Sequence, residues 1–211
     1  MTWQDVIGTW RGRVAIIFCV ATLGMIVFYM PHFYHDILTP KPGIRLEDPV
    51  LKMFTPHDWS IVVFFILYAS IIQTLVMGYK QPEIVLVGLT TYSVVNIVRL
   101  FTMYGLTLEP PTDMILLLDP ISSIAYPDKG FAKDLFFSGH VSTVFVLVLV
   151  EPNAIARYIK LAGTLTMAVL LAWQHVHYSI DLIAAFLVAW GAFILTRRML
   201  PMGRPGSQQN P

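Results

Sequence analysis

The chain has 211 residues, 56% of them apolar and 13% charged, with a mean hydropathy of +0.66 and a formal net charge of +1. Soluble domains carry about 25% charged residues and disordered chains are poor in apolar ones, so both classes are excluded. Near-neutral charge without a basic run argues against nucleic acid as a partner, and the lone Cys19 has no second cysteine to pair with.

What remains is an integral membrane protein. Spanning a hydrocarbon core of about 30 Å takes roughly 20 apolar helical residues. In chain order the charge-free runs are Val14 to Tyr34, Trp59 to Tyr79, Ile84 to Val98, Leu135 to Val150, Leu161 to His177 and Leu182 to Thr196. The shorter runs reach spanning length only by admitting an ionisable residue at one end: Arg99, Asp134 or Asp181. The expected fold is therefore an all-α membrane bundle of six transmembrane helices, near 14–34, 59–79, 84–104, 135–150, 158–177 and 179–197, in a single domain over 1–211. The first run follows Arg11 and Arg13 but ends in FYMPHFYHD without a small-residue cleavage site, which reads as an uncleaved anchor.

With six spans both termini share one side. That side collects eight Lys or Arg against three acids, whereas the other collects six against ten. The positive-inside rule then makes the basic side cytoplasmic. All six histidines, His32, His35, His57, His140, His175 and His177, fall on the opposite side, so chemistry is expected at the non-cytoplasmic face.

Two segments at that face concentrate reactive groups. In AKDLFFSGHVS, Ser138 and Gly139 open the fourth span, where free N–H groups and the helix dipole favour a phosphate. Glycine permits close approach, and His140 follows as a candidate proton donor. A helix cap with a buried histidine is the plainer alternative. In QHVHYSIDL, His177 and Asp181 are four residues apart and so share a helix face, where the carboxylate can fix the imidazole tautomer and leave the other nitrogen free to attack. The plainer alternative here is a polar pair tying two spans together. Ionisable groups in spans are functional by default.

Taken together, SGH and HYSID resemble the paired motifs of the lipid phosphatase and phosphotransferase superfamily. Leu171 stands where the phosphatases carry an arginine six residues before the second histidine, and their upstream lysine and arginine-proline motif is not found. KDLFFSGHV and HYSIDL are closer to the sphingomyelin synthase branch, with its CGDxxxSGHT and HYTxDV motifs, and RLFTMYG at 99 to 105 adds a weaker match. Ala132, Lys133 and Val141 depart from that branch's Cys, Gly and Thr.

The resemblance implies a lipid phosphatase/phosphotransferase-like bundle that moves phosphocholine or phosphoethanolamine from a glycerophospholipid to ceramide through a phosphohistidine. The implied donor is phosphatidylcholine or phosphatidylethanolamine, and the implied lipid partners include ceramide and diacylglycerol. His177, oriented by Asp181, is the implied nucleophile and His140 the acid and base. Ser138, Gly139, Arg99 and Asp134 are the implied phosphate and headgroup residues. No cofactor is implied, and the histidine spacing does not resemble a zinc site. A lipid phosphate phosphatase of the phosphatidic acid phosphatase type is the alternative, with a transporter or structural membrane protein third.

Glu109, Asp113, Asp119, Asp128 and Asp134 form an expected acidic rim suited to a cationic headgroup, with Tyr104 and Tyr126 as cation–π partners. Met114 to Leu118 is expected on the membrane surface. Trp3, Trp10, Trp59 and the FYMPHFY stretch read as interface aromatics, and His32, His35 and His57 as surface or interface histidines.

Overall fold

The computed structural model describes residues 2–119 and 133–200. Among these the chain is helical: α1 Trp3–Gly8, α2 Trp10–Phe28, α3 Ser60–Gly78, α4 Pro82–Gly105, α5 Gly139–Val150, α6 Ala154–Trp173 and α7 Ser179–Met199. Each start has a local cause. The Thr9 side chain accepts from the Gly12 N–H at α2, Pro82 occupies the first turn of α4, and Asn153 accepts from Ala156 at α6. At Gly78, a Cβ would lie 2.2 Å from Val85 Cγ2, so only glycine allows the close α3–α4 turn.

Five helices, α2, α3, α4, α6 and α7, are long and apolar enough to cross a membrane. The fourth expected span is shorter than 135–150. Ser138 caps α5, whose 12 residues rise about 18 Å, well short of the hydrocarbon core. This short helix is nevertheless central, packing against α3, α4, α6 and α7. Buried residues stud it, among them Val141, Ser142, Val144, Val146 and Val148, as expected of a helix with neighbours on every side. By contrast α2 lies outermost, with 22% of its apolar window buried against 56% for α4, its principal partner among the spans.

Two further boundaries differ from expectation. The first span begins at Trp10 rather than Val14, and Arg11 and Arg13 sit in its opening turns with long stems that can carry the charge outward. The fifth runs over Ala154–Trp173 rather than 158–177, because Asn153 caps it ahead of Arg157 and Lys160, and a tight link over 174–178 ends it. His175 takes φ of 57° in that link, and its Nε2 lies 3.0 Å from the Leu51 carbonyl oxygen.

The loops at the α4 C-terminal end are tied to the bundle. Gln174 Nε2 donates to Ser60 Oγ at 3.1 Å and to the Ile115 carbonyl at 3.2 Å, while its Oε1 accepts from the Trp59 N–H at 2.9 Å. Residues 114 to 118, expected on the membrane surface, are tied to the protein by hydrogen bonds. Ile115 donates to the Gln174 carbonyl, Leu118 donates to Ser60 Oγ, and only Leu118 of the five is exposed.

Candidate functional site

The site forms where the N-termini of α5 and α7 meet the C-terminal half of α4. The Ser138 N–H donates to the Asp181 carbonyl at 3.3 Å, so the two motif segments touch through the backbone. Ser138 is fully buried, and its hydroxyl accepts from the Val141 N–H as the α5 cap. Gly139 and His140 follow as the first two helical residues, whose N–H groups have no intrahelical partner by construction.

Arg99 arrives from α4 and lies against Gly139. A Cβ on Gly139 would be 2.8 Å from the guanidinium carbon, so glycine is what admits the arginine. Its Nε donates to the Phe137 carbonyl at 3.1 Å, and its Nη2 pairs with Asp134 Oδ1. The same carboxylate oxygen accepts from the Tyr34 hydroxyl at 2.8 Å. Burial pushes the Asp134 carboxyl up, but the charge and hydrogen bond of Arg99, the Tyr34 hydroxyl and a smaller pull from His177 together outweigh it and hold the group below its ordinary range.

His177 and Asp181 do not share a helix face as expected. His177 precedes the α7 cap, Tyr178, whose ψ of 154° is extended, and Asp181 is the third helical residue. The Asp181 Oδ2 accepts from the Tyr178 N–H at 3.0 Å in a capping box and lies 3.4 Å from His177 Nδ1. One carboxylate thus caps the helix and faces the imidazole. His177 and Asp181 are both buried, at 1% and 0% exposure.

His140 is half-buried beside Phe64, with ring centroids 5.4 Å apart, and it interacts electrostatically with His177, Asp134, Arg99 and Asp119. Of the seven buried side-chain polar atoms without a hydrogen-bond partner among the described residues, three are His140 Nδ1, His177 Nδ1 and Asp181 Oδ1. Buried polar groups are normally satisfied, so this concentration singles the region out as the candidate site.

All seven expected site residues belong to this region or to its immediate supports. Residues not singled out beforehand complete it. Tyr34, expected as an interface aromatic, holds Asp134. Tyr178 donates its hydroxyl to the Glu109 carbonyl at 2.9 Å, and Asp48 accepts from the Ser179 N–H at 2.6 Å, fastening distant loops to the start of α7. Tyr68 donates to Asp119 Oδ1 at 2.7 Å on the wall beside Phe64. A tyrosine inside an apolar run gives no local signal of such a role.

The acidic rim divides. Asp119 reaches the site, and Glu109 instead faces Lys133 at 2.8 Å, whose hydrogen bond holds that carboxyl low. One face of the Tyr104 ring is already taken by Lys41 Nζ, 4.0 Å above it. Tyr126, Asp128, Lys129 and Ala132 lie outside the described residues. His32 and His35 are exposed beside Asp36, and His57 stacks edge-on against Trp59 at 4.9 Å. Among the described residues, no group of three or more His, Cys, Asp or Glu is arranged to hold a metal ion.

An apolar groove of about 190 Å³ runs between α3, α4 and α5, from Leu75 and Ile84 up to Tyr92 and Thr143. Its upper end adjoins the site: Tyr92 interacts electrostatically with Arg99, and Thr143 Oγ1 donates to the Gly139 carbonyl at 2.7 Å.

No family model and no curated protein matches the chain.

Proposed function

We propose that the protein is a lipid headgroup phosphotransferase that works through a phosphohistidine, on the side of the membrane away from the basic ends of its helices. The observation that carries this reading is the pair of imidazoles gathered beside an arginine laid over Gly139: His177, whose Nδ1 faces Asp181 Oδ2 at 3.4 Å, and His140, whose buried Nδ1 has no hydrogen-bond partner among the described residues. Two imidazoles with an oriented carboxylate supply a nucleophile and a separate acid and base.

In the proposed reaction, His177 Nε2 attacks the phosphorus of a glycerophospholipid and the bond to the diacylglycerol oxygen breaks. His140 donates the proton that this oxygen takes up. The ceramide hydroxyl then gives its proton to His140 and attacks the phosphohistidine, which releases His177 and yields the new phosphodiester. Arg99 and the amides opening α5 stabilise the charge on the phosphoryl oxygens, while Asp134 and Tyr34 keep Arg99 in place. The groove ending at Tyr92 and Thr143 receives a hydrocarbon chain, and Phe64, Tyr68 and Asp119 form the wall for a cationic headgroup.

Charge favours a diester substrate over a monoester. A phosphate monoester carries close to two negative charges near neutrality and calls for several free cations. Here Arg99 faces Asp134 and Lys133 faces Glu109, and Leu171 is buried in the apolar core.

The test incubates purified protein with fluorescent ceramide and, separately, phosphatidylcholine, phosphatidylethanolamine and phosphatidic acid, and then separates the products. A new phosphosphingolipid with matching diacylglycerol is expected, lost by orders of magnitude in His140→Ala, His177→Ala and Asp181→Asn. Near-normal turnover in folded His177→Ala overturns the phosphohistidine. Inorganic phosphate from phosphatidic acid, without transfer from any diester, establishes the phosphatase instead.

A further inference from the structure

The end of the bundle away from the two histidines holds a second cleft, of about 480 Å³, where the ends of α4, α5, α6 and α7 diverge. Three cations from three separate elements line it: Lys80 from the α3–α4 turn, Arg157 from the start of α6 and Arg197 from the end of α7. Two acids share the lining. Glu151 is buried at 2% exposure and matched by Lys160 at 2.8 Å, so it presents little charge to the cleft. Glu83 faces Arg197 loosely, at 3.8 Å. The cleft therefore has an excess of positive charge.

One of its cations is fixed in position. The Nε and Nη2 of Arg157 donate to the Glu151 carbonyl at 2.8 and 2.6 Å, which aligns the guanidinium without neutralising it. Behind the charges the walls are apolar, with Val87 of α4 and Phe193 of α7 among them. The arrangement lies at the ends of spanning helices, the level at which lipid headgroups sit.

We propose that this cleft binds an anionic glycerophospholipid, with its phosphate between Lys80, Arg157 and Arg197 and its glycerol and first methylenes on the apolar wall. Lys and Arg are the usual phosphate partners, and basic pockets between transmembrane helices suit anionic headgroups. A free phosphate ion makes no use of the apolar wall, and a zwitterionic lipid brings an ammonium to a cleft already rich in positive charge. The lipid sits across the bundle from the histidines and takes no part in the chemistry proposed there, so the claim stands without it.

Native mass spectrometry of the full chain, purified in neutral detergent and titrated with phosphatidylglycerol or phosphatidylcholine, tests the assignment. Phosphatidylglycerol is expected to bind more tightly than phosphatidylcholine. Lys80→Gln and Arg197→Gln are expected to weaken it by about fivefold each, the effect of one cation near a lipid headgroup. Both leave the Arg157–Glu151 contact intact, and Lys52→Gln at the other end of the bundle serves as a control that leaves binding unchanged. Equal affinity for the two lipids, or equal loss in the control, overturns the assignment. Displacement of phosphatidylglycerol by millimolar glycerol phosphate overturns the lipid as occupant.

Discussion

The Arg99 guanidinium occupies the space in which a side chain on Gly139 would begin, with its Cζ 2.8 Å from the position of that missing Cβ. The arginine cannot easily move aside, because Phe137 and Asp134 hold its nitrogens. Gly139→Ala is therefore expected to displace Arg99 and lower turnover by about a hundredfold, comparable with losing one charge-stabilising donor. Arg99→Gln is expected to do the same, and the double variant to lose little more than either single one. Steady-state kinetics on the three variants checks this, and additive losses would show that the two residues act separately.

The Asp134 carboxyl, held below its ordinary value against the effect of burial by Arg99 and Tyr34 together, gives stability a definite pH dependence. The unfolded chain binds this proton at about pH 4 and the folded chain only at lower pH, so the contribution is complete above about pH 4 and declines as pH falls through the lowered folded value. Glu109 and Asp48 are also held low and act with the same sign. Thermal melts between pH 3 and 7 are expected to show midpoints falling at the acid end, with a shallower fall in Asp134→Asn. An unchanged slope in that variant would remove Asp134 from the account.

The Glu151–Lys160 pair is nearly sealed from solvent, with side chains at 1% and 5% exposure. Lys160 also donates to Thr74 Oγ1 at 2.6 Å, and Gln73 Nε2 donates to Glu151 at 3.1 Å. Removing one partner leaves a buried charge without its counterpart, so Lys160→Met is expected to cost about 3–5 kcal/mol. Glu151→Gln with Lys160→Met is expected to recover much of that loss. Chemical unfolding in detergent measures both, and a double variant no better than the single one would show that the pair's value lies elsewhere.

The proposed orientation rests on the charge split between the two ends of the bundle. In a Cys19→Ser background, Lys52→Cys at the histidine end is expected to react with an impermeant thiol reagent added outside cells. Tyr79→Cys at the other end, 82% exposed, is expected to react only after permeabilisation. The reverse pattern would place the site in the cytoplasm.

Apolarity and the two motif segments were legible because each is a local pattern: spanning runs report on length, and SGH and HYSID carry their residues within a few positions. Helix ends were less so. A search for charge-free runs stops at Arg157 and Lys160, yet both lie inside α6, because Lys160 is neutralised by Glu151 across a turn of chain and Arg157 leans on the Glu151 carbonyl. Supports from afar were invisible. Tyr34 reaches Asp134 across a separation of 100 residues and Asp48 reaches Ser179 across 131, contacts that only the packed bundle creates. The four-residue His177–Asp181 spacing points to a regular helix, whereas the two side chains come within 3.4 Å across the capping box that starts α7 between them.

The shortness of α5 bears on what the proposed phosphohistidine meets next. Its 12 residues cover about 18 Å of a hydrocarbon layer about 30 Å thick. Gly139 lies against Arg99, which is six residues short of the α4 end at Gly105, and His140 lies beside Phe64, four residues inside α3 from Ser60. The start of α5 therefore sits about one to two helical turns below the ends of these two neighbours. For the proposed transfer, such a recess favours an acceptor hydroxyl carried by a lipid over one from bulk water. Partitioning between transfer and hydrolysis then becomes a matter of solvent access, and lengthening α5 at its N-terminus would raise the hydrolytic fraction with every reacting group unchanged.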